Sequence, residues 1–250
     1  HGQWAQVSGD SEVSMLVSAL SDPNPVQRRT AAEGLGDLGD PAAAQALITL
    51  LSDVEPDVRR AGARALRQLD GPTLTPEQLA IQLVETGQTT EAVRQCGASA
   101  ANALVMVLRE RGPAERAAAA WALGLIPRDA EGLEPPIQAL VHATEDTEAA
   151  VREAAADALG RLQAAAGLHA LSDRLNDDVL AVRTAAALSL AELGSDGREA
   201  LRTGLKHPSD AVREATAHAI GGLGSDAAYA SKELGYRLQN DSAPNVRAAA

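Results

Sequence analysis

The chain has no phenylalanine, and aromatic residues make up only 2% of its 250 positions. A core without aromatic bulk must be assembled from Ala, Leu, Val and Ile, which suits closely packed helices better than a pleated sheet. The single cysteine, Cys96, excludes an internal disulfide and any cysteine-rich metal site. No stretch approaches the ~18 uninterrupted apolar residues of a membrane-spanning helix, so no membrane role is expected. Lysine is nearly absent: Lys206 and Lys232 are the only two among 22 basic residues, against 34 acidic ones. The resulting net charge of −12 argues against nucleic acid as a partner, because backbone binding needs cations that neutralise several phosphates. It serves solubility and, for a partner, favours a basic protein or peptide. With neither span nor disulfide, a cytoplasmic location is expected.

What the chain has in quantity is a rhythm. An acidic residue followed six positions later by arginine occurs at Asp22/Arg28, Asp53/Arg59, Glu110/Arg116, Asp146/Arg152, Asp177/Arg183 and Asp241/Arg247. Gln88/Arg94 and His207/Arg213 keep the spacing and the arginine but lose the carboxylate. The arginines succeed one another at intervals of 31, 35, 22, 36, 31, 30 and 34 residues. A period near thirty denotes stacked units, each too small to bury its apolar face alone.

Aligned on the arginines, the units share one plan. A first helix with apolar residues at helical spacing leads to a turn rich in Asp, Pro, Asn and Ser, such as Asp22-Pro-Asn-Pro25 or Asp241-Ser-Ala-Pro244. A second helix follows, clearest from Val151 to Leu162, in which Val, Ala and Leu form one buried stripe. The pattern predicts second helices over 25–38, 56–69, 89–96, 113–126, 147–162, 178–193, 208–223 and 243–250. Gly39, Gly194 and Gly224 fall where such helices must stop, as left-handed caps. The third unit is compressed, so its second helix is either about two turns long or part of one continuous helix over 89–110. Residues 1–10 read as an expression remnant or irregular N-terminus, and 11–250 as a single solenoid. The last helix stops at Ala250, so a C-terminal portion carrying a polar cap is expected beyond it.

The D-x4-V-R junction and the A-A-x-A-L-G-x-L-G second helix resemble HEAT repeats, in particular the short variety of phycobilin lyases. The resemblance runs from about Asp10 to Ala250. It implies an all-α fold, a right-handed α–α superhelix of about eight helix pairs with the third degenerate and the last truncated. It also implies that acids and arginines of successive units form a structural ladder. Asp22, Arg28, Asp53, Arg59, Glu110, Arg116, Asp146, Arg152, Asp177, Arg183, Arg213, Asp241 and Arg247 are its expected members. A guanidinium fork that bridges carboxylates and turn carbonyls can satisfy polar groups buried at each junction. Removing Arg183 is accordingly expected to strand a carboxylate. His207, in a ladder position, is expected to make a junction hydrogen bond.

The fold itself hosts importins, phosphatase scaffolds, lyase subunits, hydroxylases and DNA glycosylases, so function must be read from residues that vary between units. The second helices of such repeats line the inner face, at positions one, two, five and nine after the ladder arginine. These positions supply Arg29, Arg60 and Arg64 early, Trp121 and Leu125 centrally, and Glu153, Asp157, Leu188, Glu192, Glu214 and His218 later. Trp121 is expected as an aromatic anchor or, alternatively, as a filler beside the compressed unit. The carboxylates are expected to steer basic groups or simply to be solvated.

Catalytic readings find little support. His142, His169, His207 and His218 form no H-x3-H or H-E-x-x-H spacing, and no His-Glu dipeptide of the HEAT-type di-iron hydroxylases occurs. There is no G-x-x-x-x-G-K or G-x-S-x-G motif, and Cys96 has no adjacent histidine. No catalytic, cofactor or metal residues are assigned. The expectation is a non-enzymatic, monomeric scaffold for a protein or peptide; the alternative is a bilin-lyase-like subunit or another HEAT-type enzyme component.

Overall fold

The computed structural model describes residues 12–69 and 74–250, apart from the side chains of residues 225 and 226. The irregular N-terminus expected over 1–10 lies outside the described residues. Among the described residues all regular structure is helical. Cα packing divides the chain into two compact units, His1–Ala103 and Leu104–Ala250.

The first unit contains α1 (12–19), α2 (Pro25–Leu38), α3 (Ala44–Thr49), α4 (Pro56–Gln68), α5 (Pro76–Glu85) and α6 (Thr89–Cys96). Proline opens α2, α4 and α5, where its missing N–H leaves no helical bond unmade. The Asn24 side chain caps α2, and Gly39, at φ 65°, ends it in the left-handed region. α2 packs on α4 around Leu35, Leu47, Leu51, Val58 and Leu66. The compressed region resolves as the short alternative: α6 is eight residues long and stops at a 3-10 turn, Gly97–Ala100, before α7 (Ala101–Glu110).

The second unit contains α8 (Pro113–Leu123), α9 (Glu134–Ala143), α10 (Ala149–Arg161), α11 (Leu168–Arg174) and α12 (Leu180–Glu192). It continues with α13 (Gly194–Gly204), α14 (Asp210–Gly221), α15 (Ser231–Asn240) and α16 (Pro244–Ala249). The even-numbered helices form one layer, α8 on α10, α10 on α12, α12 on α14 and α14 on α16. The odd-numbered helices form the other, with α9, α11, α13 and α15 each packed against the second helix that follows. Leu123, Leu140, Val151, Leu159, Leu171, Val182, Leu190, Leu201, Val212, Ile220 and Val246 fill the space between layers.

Within the layer of second helices the backbones come very close. A Cβ on Gly124 would lie 2.8 Å from the Ala158 Cα, and one on Gly160 would lie 2.5–2.8 Å from three Ser189 atoms. The first unit repeats the arrangement, with Gly36 against Ala65 at 3.0 Å. The glycine eight places after one ladder arginine therefore meets the residue six places after the next. This contact explains the glycine of the A-L-G signature: its task is close approach rather than an unusual φ.

Candidate binding groove

The ladder arginines fix the register of everything else. Each directs one guanidinium nitrogen, Nη1, back to its own turn. Arg28 donates to the carbonyls of Asp22 and Pro23, Arg152 to those of Asp146 and Thr147, and Arg213 to those of His207 and Pro208. Nε and Nη2 point forward and grip the carboxylate of the following repeat. Bidentate pairs of this kind are Arg28–Asp53 at 2.7 and 2.8 Å, Arg116–Asp146 at 2.9 and 2.7 Å, Arg152–Asp177 at 2.8 Å twice, and Arg213–Asp241 at 2.8 Å twice. The gripped carboxylate also caps its own turn by accepting the amide two residues ahead: Glu55 to Asp53, Glu148 to Asp146, Val179 to Asp177 and Ala243 to Asp241. The six-residue spacing thus reports a guanidinium–carbonyl contact, and the charge pair runs between repeats.

These contacts set the electrostatics. The Arg213 fork holds the Asp241 carboxyl far below the ordinary range against the opposing effect of burial, with the Ala243 amide and Arg237 assisting. At Asp53, Asp146 and Asp177 burial is the largest single influence and pushes upward. The forks of Arg28, Arg116 and Arg152, together with the turn amides, outweigh it, so all three carboxyls sit low.

Five expected ladder members depart from the pattern. Arg59, without a carboxylate at Gln88, donates instead to Glu85 at 2.9 Å, the two side chains being 2% and 3% exposed. Glu85 lies at the end of α5, three residues before the position that the repeat spacing selects, so periodicity passes over it. Glu110 is exposed, while Arg116 takes the Arg111 carbonyl at 2.9 Å. Arg183 holds no carboxylate among the described residues: its Nη1 reaches the carbonyls of Asp177 and Asp178, and its buried Nε has no partner among them. Its removal would strand no carboxylate, because Asp177 belongs to Arg152. The cause is His207, whose Nδ1 accepts the Ser209 amide at 3.1 Å and so keeps the turn cap without supplying an anion. The terminal members are half-filled: Asp22 caps the amide of Asn24, and Arg247 takes the carbonyls of Asp241 and Ser242.

The exposed face of the second helices in the second unit forms a groove of about 810 Å³ over α8, α10 and α12. Trp121, Leu180 and Leu188 line it and are 40, 56 and 48% exposed, so that three large apolar side chains share one exposed surface. Glu153 and Asp157 project from α10 between them, over a floor that includes Ala150, Ala154, Ala181 and Ala185. A second hollow of about 450 Å³ shares Asp157 and Leu188 and adds Glu192. Of the residues singled out in the sequence, the groove therefore brings together Trp121, Glu153, Asp157 and Leu188, and the adjoining hollow adds Glu192. Leu125, Glu214 and His218 line neither hollow; the Glu214 carboxylate accepts the side-chain amide of Asn245 in the next repeat.

One feature of the groove escaped the sequence pattern, and another fell within it but was not singled out. Leu180, Ala181 and Ala150 lie a turn or less before the ladder arginines, whereas the positions considered all followed them. Arg161, nine places after Arg152, puts a cation among the acids: its Nε donates to Asp157 at 2.8 Å, and its guanidinium lies 5.9 Å from the centre of the Trp121 ring. In the first unit, Arg29 lies 3.7 Å from Glu33 and Arg60 lies 3.8 Å from Asp57, so these cations are already neighboured by acids.

Other chemistry is thinly represented. No group of three or more His, Cys, Asp and Glu side chains poised for a metal occurs among the described residues. The Cys96 thiol is half-buried, and burial raises its pKa, with Glu77 and Glu91 adding to the effect, which disfavours the reactive thiolate. No helix among the described residues is long and apolar enough to cross a membrane.

Paired helices repeated about every thirty residues and joined by inter-repeat forks define an α-helical repeat protein. The chain belongs to the HEAT-repeat family, whose sequence profile matches residues 13–105, 101–191 and 180–250. Similar solved structures include an engineered protein with 21% identity and a TM-score of 0.44, covering 85% of this chain and 96% of that one. Human deoxyhypusine hydroxylase in complex with glycerol is 22% identical with a TM-score of 0.40, over 84% of this chain and 83% of its own. The complex of CpcE and CpcF of phycocyanin lyase from Nostoc sp. PCC7120 is 20% identical with a TM-score of 0.36, over 95% and 91%. No curated protein sequence matches the chain.

Proposed function

We propose that the protein is a non-enzymatic, monomeric scaffold that binds a basic polypeptide segment on the second-helix face of its Leu104–Ala250 unit. The observation that carries this reading is the groove in which Trp121, Leu180 and Leu188 stand exposed beside Glu153 and Asp157. Exposed aromatic and aliphatic side chains supply desolvation energy on docking, and flanking carboxylates select the sign of the ligand. Arg161 tunes the site: released from Asp157 by an incoming arginine or lysine, it frees that carboxylate for the ligand. No cofactor is required, and an acidic chain repels nucleic acid from this face.

The test is a titration with a basic amphipathic peptide of arginine and leucine, followed by Trp121 emission. A Trp4→Phe background leaves Trp121 as the sole tryptophan, since the sequence has two. Trp121→Ala, read by peptide anisotropy, should weaken binding at least about tenfold, or ~1.4 kcal/mol, with unchanged helicity. Equal binding by the variant would refute the anchor. A visible absorbance change on adding bilin, with no peptide binding, would favour the lyase-subunit alternative instead.

A further inference from the structure

The two lysines of this arginine-rich chain lie on one cleft. Lys206 follows α13 and Lys232 is in the first turn of α15; with Glu233, Tyr236 and Arg237 they line a hollow of about 370 Å³. The arginines around it are already committed. Arg237 donates to Asp241 at 3.1 Å and lies 5.3 Å from the centre of the Tyr236 ring, while Arg202 is 3.7 Å from Glu233. Both lysines are exposed, and neither ammonium group has a hydrogen-bond or ion-pair partner among the described residues. The Tyr236 side chain beside them is 58% exposed. On a chain of net charge −12, two uncommitted ammonium groups beside an open aromatic ring form a local reversal of sign.

We infer that this cleft docks an acidic peptide segment, with carboxylates against Lys206 and Lys232 and an apolar side chain against Tyr236. Charge complementarity selects an anion, and the form of the cations selects its kind. Ammonium groups act as separate point charges, whereas the planar forks that grip phosphate bidentately are occupied here. Glu233 within the lining opposes a phosphate dianion more strongly than it opposes spaced single carboxylates. The acidity of the whole chain repels a nucleic acid at longer range. The cleft belongs to the layer of first helices, so it stands or falls separately from the second-helix groove.

The test is fluorescence anisotropy of a fluorescein-labelled peptide of alternating glutamate and leucine at low ionic strength. The wild type should bind it, and Lys206→Glu/Lys232→Glu should weaken binding at least about tenfold. Arg64→Glu/Arg67→Glu makes the same change in net charge on another surface and should alter affinity less than about twofold. Tyr236→Ala should weaken binding about threefold, while Trp121→Ala should leave it unchanged. Absence of binding by the wild type, or equal losses in both double variants, would overturn the inference. Competition by inorganic phosphate or a single-stranded oligonucleotide as effective as unlabelled peptide would overturn the choice of occupant.

Discussion

Replacing His207 by aspartate should complete the one junction between Arg116 and Arg247 that lacks its charge pair. At this junction Arg183 already has the posture of the other ladder arginines, with Nη1 on the carbonyls of Asp177 and Asp178 at 2.8 and 3.1 Å. Its Nε is buried and unpartnered. An aspartate at 207 would keep the turn cap, because Asp177 and Asp241 accept the equivalent amides at 3.0 and 3.1 Å. It would add two charge-assisted bonds of the kind that measure 2.8 Å at Arg152 and Arg213. A hydrogen bond to a charged group contributes about 1.5–3 kcal/mol, and ordering both side chains at a half-buried site offsets part of it. The net gain should be about 1–2 kcal/mol. For a chain of this size that is a rise in melting temperature of roughly 2–8 °C, measured by helical ellipticity at fixed scan rate. The decisive control is the double-mutant cycle with Arg183→Met, in which the gain from His207→Asp should vanish. A neutral or destabilising His207→Asp, or one equally stabilising without Arg183, would refute the reasoning.

Three further outcomes follow from the packing and the ladder. Gly160→Ala should destabilise the second unit by about 1–3 kcal/mol in urea denaturation, because the new methyl collides with Ser189; Gly39→Ala meets no atom and should be limited to left-handed strain. Glu85→Ala should cost the first unit about 3–5 kcal/mol by leaving the Arg59 charge buried without its anion, and hydrogen exchange should locate the loss there. Stability should also fall with acid. Asp53, Asp146, Asp177 and Asp241 titrate lower in the folded chain than in the unfolded one, where an aspartate sits near about 3.9. Below about pH 5 the unfolded chain therefore binds protons that the native state refuses. The ladder's contribution, intact at neutral pH, should decline progressively through pH 4 and below; a flat stability curve from pH 6 to pH 3 would contradict it.

The repeat architecture was legible because its signals are local and recur. Proline and aspartate mark each turn, the apolar stripe marks each second helix, and α2 and α6 begin and end at the residues that the pattern selects. The ladder was legible as a period but not as a set of bonds. Spacing alone cannot tell that Arg28 sends its charge to Asp53 while keeping Asp22 only as a carbonyl. Glu85 was missed because it replaces a partner from a different helical turn, and such substitution leaves no trace in a periodic alignment. The groove was read half correctly for a related reason. Counting forward from each arginine finds Trp121, Asp157 and Leu188, but the exposed face also extends backward to Ala150 and Leu180. Whether Arg161 faces a partner or an acid on its own helix depends on side-chain direction, which its position in the repeat does not specify.

The forward reach of each fork gives the stack a direction. A repeat with such a fork presents a cationic plug on one side and an anionic socket on the other, and in these bidentate junctions the acid and the arginine belong to different repeats. A repeat bounded by two such junctions can be duplicated or deleted without leaving an unmatched plug, whereas an excision of half a repeat spoils two junctions at once. His207 is a socket that fits no plug, so a repeat ending at its junction joins its neighbour by packing and turn carbonyls without a charge pair.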